Sequence, residues 1–535
     1  MASVSEIPVQ APPASAVHSR GLAHTIGRNT MFGIVARGAQ VGTRLVTIPI
    51  VIAHLGLGGY GIWSIIMTAA AYMRFGSIGI KSAFQKYVAE ATGNGDYEQA
   101  NKLVSTGMVG LMVLSLLTLI PIAFFSTALA KASGVPPEFL RATAKSISAL
   151  ALIMVLSNFG AAYEAIVSGG HRLDLVRNFS TVFTLAEAVA IIASLHFGKG
   201  LFAMALIMAI SELGLVTCCY FAAKRVLPQV HVQLKYATRS VAGELVRFAG
   251  SYQLVNILEV LYVSIVPIAI LRAFGAQPAG VYAITTRLVQ SAMMLWESFL
   301  LPILSGGAMV YASGSTEQMR RLIVKAFKIT MGLCLFPLAF IAVFGPTMVL
   351  AWTGQSDSSF RAGLWIVCLA GFFQGFSVLG LVLYRVSGKA LLDNIRQGIR
   401  IVILLGIAIF ARRLGFYGVL WGLAAAEFVG MVFMLFAITK TFSSFHPRSL
   451  LSDAVKLTVA TSAVLLAGAL ALQLPLPAVS DTRLLAGLQL GKVCLGCLLA
   501  AWPALVLTKS VTPAESRTIF GIFRPRPEIP EVSQL

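Results

Sequence analysis

Arg37, Gln40 and Arg44 lie at i, i+3 and i+7 inside NTMFGIVARGAQVGTRLVTIPIVIAHL, residues 29–55. On a helix that spacing puts all three on one face. The stretch exceeds the about 20 largely apolar residues that cross a bilayer. An arginine at the bilayer centre costs roughly 2.5–3.5 kcal/mol on insertion scales. Two on one stripe are therefore expected to face other helices or a wet cavity, not lipid. The chemistry on offer is a cationic cavity inside a membrane.

Other apolar segments also carry polar residues. Arg287, Gln290, Met294 and Glu297 follow one another at i, i+3, i+7 and i+10. Gln253, Asn256 and Glu259 sit in the segment before them, Arg74 lies beside Tyr72, and Asn158, Tyr163 and Glu164 share a further segment. Arg37, Arg44, Arg74 and Arg287 form the expected cationic set, with Glu259 and Glu297 as counter-charges. The competing readings are structural. Arg74 sits where it can snorkel to headgroups, Arg287 and Glu297 can pair with each other, and Lys492 and Arg400 read as interfacial.

No hydrolytic constellation accompanies these residues. The chain has no Walker A sequence, no HExxH, no GxSxG and no aspartate pair for a nucleotide sugar. No catalytic residue is expected, and the chain does not read as an enzyme. Without an ATP site, vectorial work must come from an ion gradient, a substrate gradient or consumption of product. The six cysteines all fall in apolar segments, and Cys494-Leu-Gly-Cys497 has no histidine or carboxylate cluster beside it. They read as packing residues, and neither a metal nor another cofactor is expected.

The elements that hold these residues follow from composition. Of 535 residues, 57% are hydrophobic and 12% charged, with a mean hydropathy of +0.83. That is an all-α polytopic membrane protein, not a soluble domain. A net charge of +20 would suggest nucleic acid in a soluble protein. Here the basic residues sit mostly in short loops, where orientation and anionic lipid heads account for them, so no nucleic-acid partner is expected. Span lengths give about 14 transmembrane helices. Lys224, Arg225, Lys235, Arg239, Arg320, Arg321 and Lys325 fall on one side, which places both termini in the cytoplasm. The expected divisions are a disordered tail over 1–28, a first lobe over 29–225 and a cytoplasmic linker over 226–243. A second lobe over 244–440, two further spans over 441–510 and a disordered tail over 511–535 complete the chain. Loops 81–102 and 224–243 are long enough for amphipathic helices, and a long span over 278–310 is expected to bend at Pro302.

The chain then repeats itself. Gly56 and Gly275, Gly61 and Gly280, Gly95 and Gly314, Asp174 and Asp393, and Arg177 and Arg396 are all 219 residues apart. Spans 1–6 and 7–12 read as two copies of one six-helix lobe, with two C-terminal helices appended. Because six is even, both copies enter from the same side as parallel repeats about the membrane normal. Transporters that rock two halves about a central site are built this way. Pro49 and Pro267 match at a shift of 218. Each kinks its helix and frees a carbonyl that must be satisfied within the protein.

The run LGLGGYGIWSIIMTAAAYMRFGSIGIKSAFQKYVAEA at 55–91, then GNGDYEQANKLVSTG, AWTGQ at 351–355 and VSGKALLDNIRQ at 386–397, resembles bacterial polysaccharide (O-antigen-type) flippases. These belong to the multidrug/oligosaccharidyl-lipid/polysaccharide (MOP) exporter superfamily. The resemblance covers residues from about 30 to 510 and is specific for the family, not for the sugar. It implies two six-helix lobes around a central cavity. It also implies movement of undecaprenyl-diphosphate-linked oligosaccharides across the bacterial inner membrane by alternating access. The partners implied are that lipid-linked substrate, membrane lipids and polysaccharide polymerase machinery. A diphosphate calls for arginines, which fork bidentately onto phosphate oxygens, so the role carries over to Arg37, Arg44, Arg74 and Arg287. Gln40, Gln290 and Asn256 would serve the sugar. Two alternatives stand beside this one. A drug or cation antiporter of the same superfamily should present a carboxylate in the first span, which holds two arginines and no acid. A membrane glycosyltransferase or ligase should carry a larger domain outside the membrane than these loops provide.

Overall fold

Local backbone geometry repeats through the chain, and that repeat builds the fold. The computed structural model describes residues 19–73, 87–88, 90–170, 172–297, 300–387, 389, 391–442, 450–475 and 480–510. The longest runs of helical side chains outside the description are 19–37, 69–73 and 246–257. The helices are α1 Ser19–Met73, α2 Tyr97–Ala132, α3 Pro137–Gly169, α4 Leu173–His196, α5 Leu201–Val226, α6 Arg239–Phe274 and α7 Ala276–Glu297. They continue as α8 Leu300–Ala312, α9 Thr316–Thr353, α10 Ser359–Val386, α11 Leu391–Ile409, α12 Ala411–Thr441, α13 Leu451–Leu472 and α14 Thr482–Leu507. Ten helices among the described residues are long and apolar enough to cross a membrane.

Glycines punctuate both halves at matching places. α1 is two helices joined at Gly56, with φ 71° and ψ 172°. Gly275, which joins α6 to α7, has φ 90° and ψ −171°. This is a backbone region open almost only to glycine. The other positive-φ glycines pair in the same way: Gly95 with Gly314, Gly134 with Gly354, and Gly198 with Gly415. Caps repeat too. Asp96 accepts from the Gln99 N–H at 2.9 Å, and Ser315 accepts from the Gln318 N–H at 3.4 Å. Packing follows suit: α3 packs on α2 and α5 as α10 packs on α9 and α12, and α1 packs on α4 as α6 packs on α11. The result is two six-helix lobes, with α13 and α14 packed on each other and on α9.

The lobes meet backbone on backbone. A Cβ on Gly61 would lie 2.6 Å from the Gly280 nitrogen and clash with the Ala276 carbonyl oxygen; one on Gly280 would clash with the Leu57 carbonyl oxygen. Leu57 and Ala276 are themselves 219 apart. The contact is reciprocal, as a two-fold axis between equivalent surfaces demands. At the same end, a Cβ on Gly134 would lie 2.6 Å from the Arg272 Cα. One apolar core, running from Ile48 and Tyr60 to Val266 and Trp296, crosses both lobes. A second, built on Val88, Val104, Ile166 and Leu245, stays within the first lobe and the start of α6.

Several boundaries differ from expectation. α1 starts at Ser19, so 19–28 is helical rather than part of a tail; no proline lies between Pro13 and Pro49 to prevent it. Residues 1–18 and 511–535, the rest of the expected tails, lie outside the described residues. Between α5, which runs to Val226, and α6, which starts at Arg239, the 224–243 loop holds a 3-10 turn, Leu234–Tyr236, in place of an amphipathic helix of its own. Its amides bond side chains of α2 instead: His231 N–H to Asn101 Oδ1 at 2.6 Å, Gln233 N–H to Ser105 Oγ at 3.1 Å, and Thr238 N–H to Thr106 Oγ1 at 3.0 Å. In the 81–102 loop, 81–86 lie outside the described residues and α2 begins at Tyr97. The long span over 278–310 is helical on both sides of residues 298–299, which lie outside the described residues, and the bend expected at Pro302 falls beside them.

Candidate functional site

A cavity of about 450 Å³ opens inside the first lobe. The helix period brings its walls together. Gln40, Arg44, Thr47 and Val51 line one face of α1 before Gly56, and Tyr60, Trp63, Ser64 and Met67 line one face after it. α4 adds Thr184, Glu187 and Ile191, while α5 adds Met204, Met208 and Glu212. Among the described residues, Arg287 on α7 is the one lining residue from the second lobe.

Arg44 and Arg287 repel each other across this space, and both lie within electrostatic reach of Tyr60. Arg287 Nη1 donates to Gln290 Oε1 at 3.4 Å. No ion pair joins either arginine to a carboxylate among the described residues. Like charges brought together in a partly dehydrated space raise each other's cost. The arrangement is therefore stabilised by an anion placed between them.

Gln40, Arg44 and Arg287 thus lie in the cavity, and Gln290 lines a smaller pocket beside it with Arg44 and Trp352. The side chains of Arg37, Arg74 and Asn256 fall outside the described residues. Glu297 is exposed and is not among the lining residues of the main cavity.

Glu259 was expected as a counter-charge to the cavity arginines, but it belongs elsewhere. Its carboxylate accepts from the Gln397 amide, and Gln397 Oε1 accepts from Arg400 Nη1 at 2.6 Å. Arg400 pairs with Glu427, which also accepts from the Tyr262 hydroxyl. The guanidinium lies 3.7 Å from the Tyr262 ring centre. Arg400 is therefore not interfacial: it and Glu427 are each 1% exposed. Arg396 and Asp393 form a second buried pair at 2.7 Å. A buried charge is tolerated when it is paired and hydrogen-bonded, and α6, α11 and α12 provide that set among themselves. These polar residues of the second lobe bind one another, while Arg287 of the same lobe reaches the cavity.

Glu187 and Glu212 were missed. The signal was there: TLAEAVA and AISELGL each place one acid inside an apolar span, where an ionisable residue is itself a sign of function.

No protein-family model matches the chain. A structure of the lipid II flippase MurJ, in an inward closed conformation, aligns with a TM-score of 0.68 and 13% identity, over 89% of this chain and 99% of that one. An inward-facing multidrug resistance MATE family transporter of the MOP superfamily aligns with a TM-score of 0.62 and 16% identity, over 75% of this chain and 96% of that one. The uncharacterized membrane protein EpsK of Bacillus subtilis (strain 168) is 21% identical over 333 residues, 60% of this chain. That match spans 65% of EpsK, just under two thirds of its length. At these identities the likeness is one of fold: the chain shares the all-helical architecture of those two solved structures.

Proposed function

We propose that the protein is a flippase that moves a polyprenyl-diphosphate-linked oligosaccharide across the bacterial inner membrane by alternating access. The observation that carries this reading is Arg44 and Arg287, one from each lobe, at a single cavity. A diphosphate offers oxygens for a bidentate fork from each. Because the two arginines belong to different lobes, an anion held between them favours one lobe arrangement over the other, which is how a ligand shifts a conformational equilibrium. The volume suits a diphosphate and the nearest sugar, with Gln40 and Gln290 as hydrogen-bonding groups and the polyprenyl tail left in lipid. Arg37, Arg74 and Asn256 extend the same stripes in sequence.

The lobe contacts at Gly61–Gly280 and Gly134–Arg272 lie at the end that carries the Gly56 and Gly275 turns. With both termini cytoplasmic, that end is the outer one. Residues 29–225 and 244–440 are the moving lobes in this reading, and a polysaccharide polymerase takes the product.

A second reading, an antiporter for organic cations, draws support from Glu187 and Glu212 in the same cavity. One experiment separates the two. Membrane abundance and glycan export are measured together for Arg44→Ala and Arg287→Ala. Loss of export at normal abundance is expected, and normal export in both variants would end the flippase reading. An antiporter would instead lose efflux of a cationic dye in Glu212→Gln.

A further inference from the structure

In the first lobe the cavity occupies the place that a charged network fills in the second. Gln40, Thr43 and Met208 line it, and each lies 219 residues before a member of that network: Glu259, Tyr262 and Glu427. Thr181 likewise stands where the second lobe has Arg400. One arginine is common to both lobes. Arg177 is the counterpart of Arg396, which is 1% exposed, pairs with Asp393 at 2.7 Å and donates to Ser377 Oγ at 2.6 Å.

Arg177 lacks both of those partners. Asp174, the counterpart of Asp393, pairs with Arg172 at 3.2 Å instead. Asn158, in the place of Ser377, donates its amide to Ser115 Oγ at 2.7 Å. Among the described residues no ion pair reaches Arg177, and its Nε is buried with no hydrogen-bond partner. A half-buried guanidinium left in this way is costly until an acceptor arrives. Helical spacing shows where the acceptor would lie. Arg177 precedes Thr184, Ala188 and Ile191 of the cavity wall by 7, 11 and 14 residues, which is one face of α4. At the other end of α4, the ring of His196 lies 4.9 Å from that of His54, two residues before the Gly56 turn. Arg177 is therefore about 28 Å along the helix from the Gly56 end, and about 10 Å beyond Thr184.

Resting on the flippase reading above, in which that far end faces the cytoplasm, we propose that Arg177 is a lipid-phosphate site at the inner mouth of the cavity. The ligand is a phosphate or diphosphate ester, whose oxygens match the fork of a guanidinium. Its source is the lipid-linked substrate on its way to Arg44 and Arg287, or an anionic lipid of the inner leaflet.

The test is binding to the purified full-length protein in phosphatidylcholine nanodiscs, using two probes: a polyprenyl diphosphate-linked saccharide and phosphatidylglycerol. Arg177→Gln is expected to weaken binding about tenfold, the size of one charge-assisted hydrogen bond. A loss for the saccharide lipid assigns the site to the substrate, and a loss for phosphatidylglycerol alone assigns it to the bilayer. Arg177→Lys, which keeps the charge without the fork, should fall between the two proteins and report an intact fold. Wild-type affinity for both probes in Arg177→Gln would overturn the proposal. Failure of the wild type to bind the saccharide lipid would instead overturn the flippase reading, and phosphatidylglycerol would then decide Arg177 by itself.

Discussion

The indole N–H of Trp352 donates to the main-chain carbonyl of Leu45 at 2.7 Å. Leu45 is the residue four before Pro49, and its carbonyl is the one that proline leaves without a helical partner. The bond runs from α9 in the second lobe to α1 in the first. Arg483 on α14 in turn donates to the Trp352 carbonyl at 2.9 Å. Leu45, Trp352, Arg44 and Arg287 line one small pocket, so the kink, the interlobe bond and the cavity arginines are neighbours.

Trp352→Phe keeps a ring and removes the donor. It should cost about 0.5–1.5 kcal/mol, the net worth of one hydrogen bond. In a Pro49→Ala background the new Ala N–H can take the Leu45 carbonyl, so the same substitution should cost less. Thermal unfolding of the four proteins gives the coupling as a double-mutant cycle. Strictly additive penalties would separate the kink from the bond.

Gly61→Ala and Gly280→Ala should each destabilise by about 1–3 kcal/mol through overpacking, and by similar amounts because the contact is reciprocal. Gly42→Ala is the control, since nothing lies within 4 Å of its Cβ position. Membrane abundance and unfolding temperature read the outcome. A tolerated Gly61→Ala would mean that the lobes do not meet there.

Arg44→Lys and Arg287→Lys should restore only part of the export that alanine removes. A lysine keeps the charge but is a point donor that cannot form the guanidinium fork. The measurement is initial export rate at matched abundance, with the order wild type, lysine, alanine. Lysine variants indistinguishable from wild type would exclude bidentate binding.

Glu427→Ala leaves Arg400 buried and uncompensated, and should cost about 3–5 kcal/mol. Combining Arg400→Met with Glu427→Leu removes both charges and should recover most of it, because a buried pair gains little over well-packed apolar side chains. Unfolding temperatures of the single and double variants decide. A double variant as unstable as the single would give the pair a stabilising role of its own.

Reporter fusions within 170–172 and 387–389 should report the same face of the membrane, and fusions within 276–278 the opposite one. The first two lie at equivalent points of the repeat, and six spans return the chain to its starting side. Opposite readings at 170–172 and 387–389 would break the parallel repeat.

The repeat was legible in the sequence because its markers act locally. Gly56 and Gly275, like Gly95 and Gly314, hold a backbone region that excludes most other residues. The arginine stripe was legible because helical spacing fixes which residues share a face of one helix. Spacing is silent on what stands opposite that face. Glu259, on α6, shares a segment with Asn256, yet its partner Gln397 lies 138 residues on, in a helix whose approach is set by packing. Glu187 and Glu212 reach the cavity of Arg44 because α4 packs on α1 and α5 packs on α4. Pro49 announced that the Leu45 carbonyl needed a donor, and only the docking of α9 made that donor Trp352. Local geometry is written in neighbouring residues; partnership between helices depends on crossing angles that no stretch of sequence carries by itself.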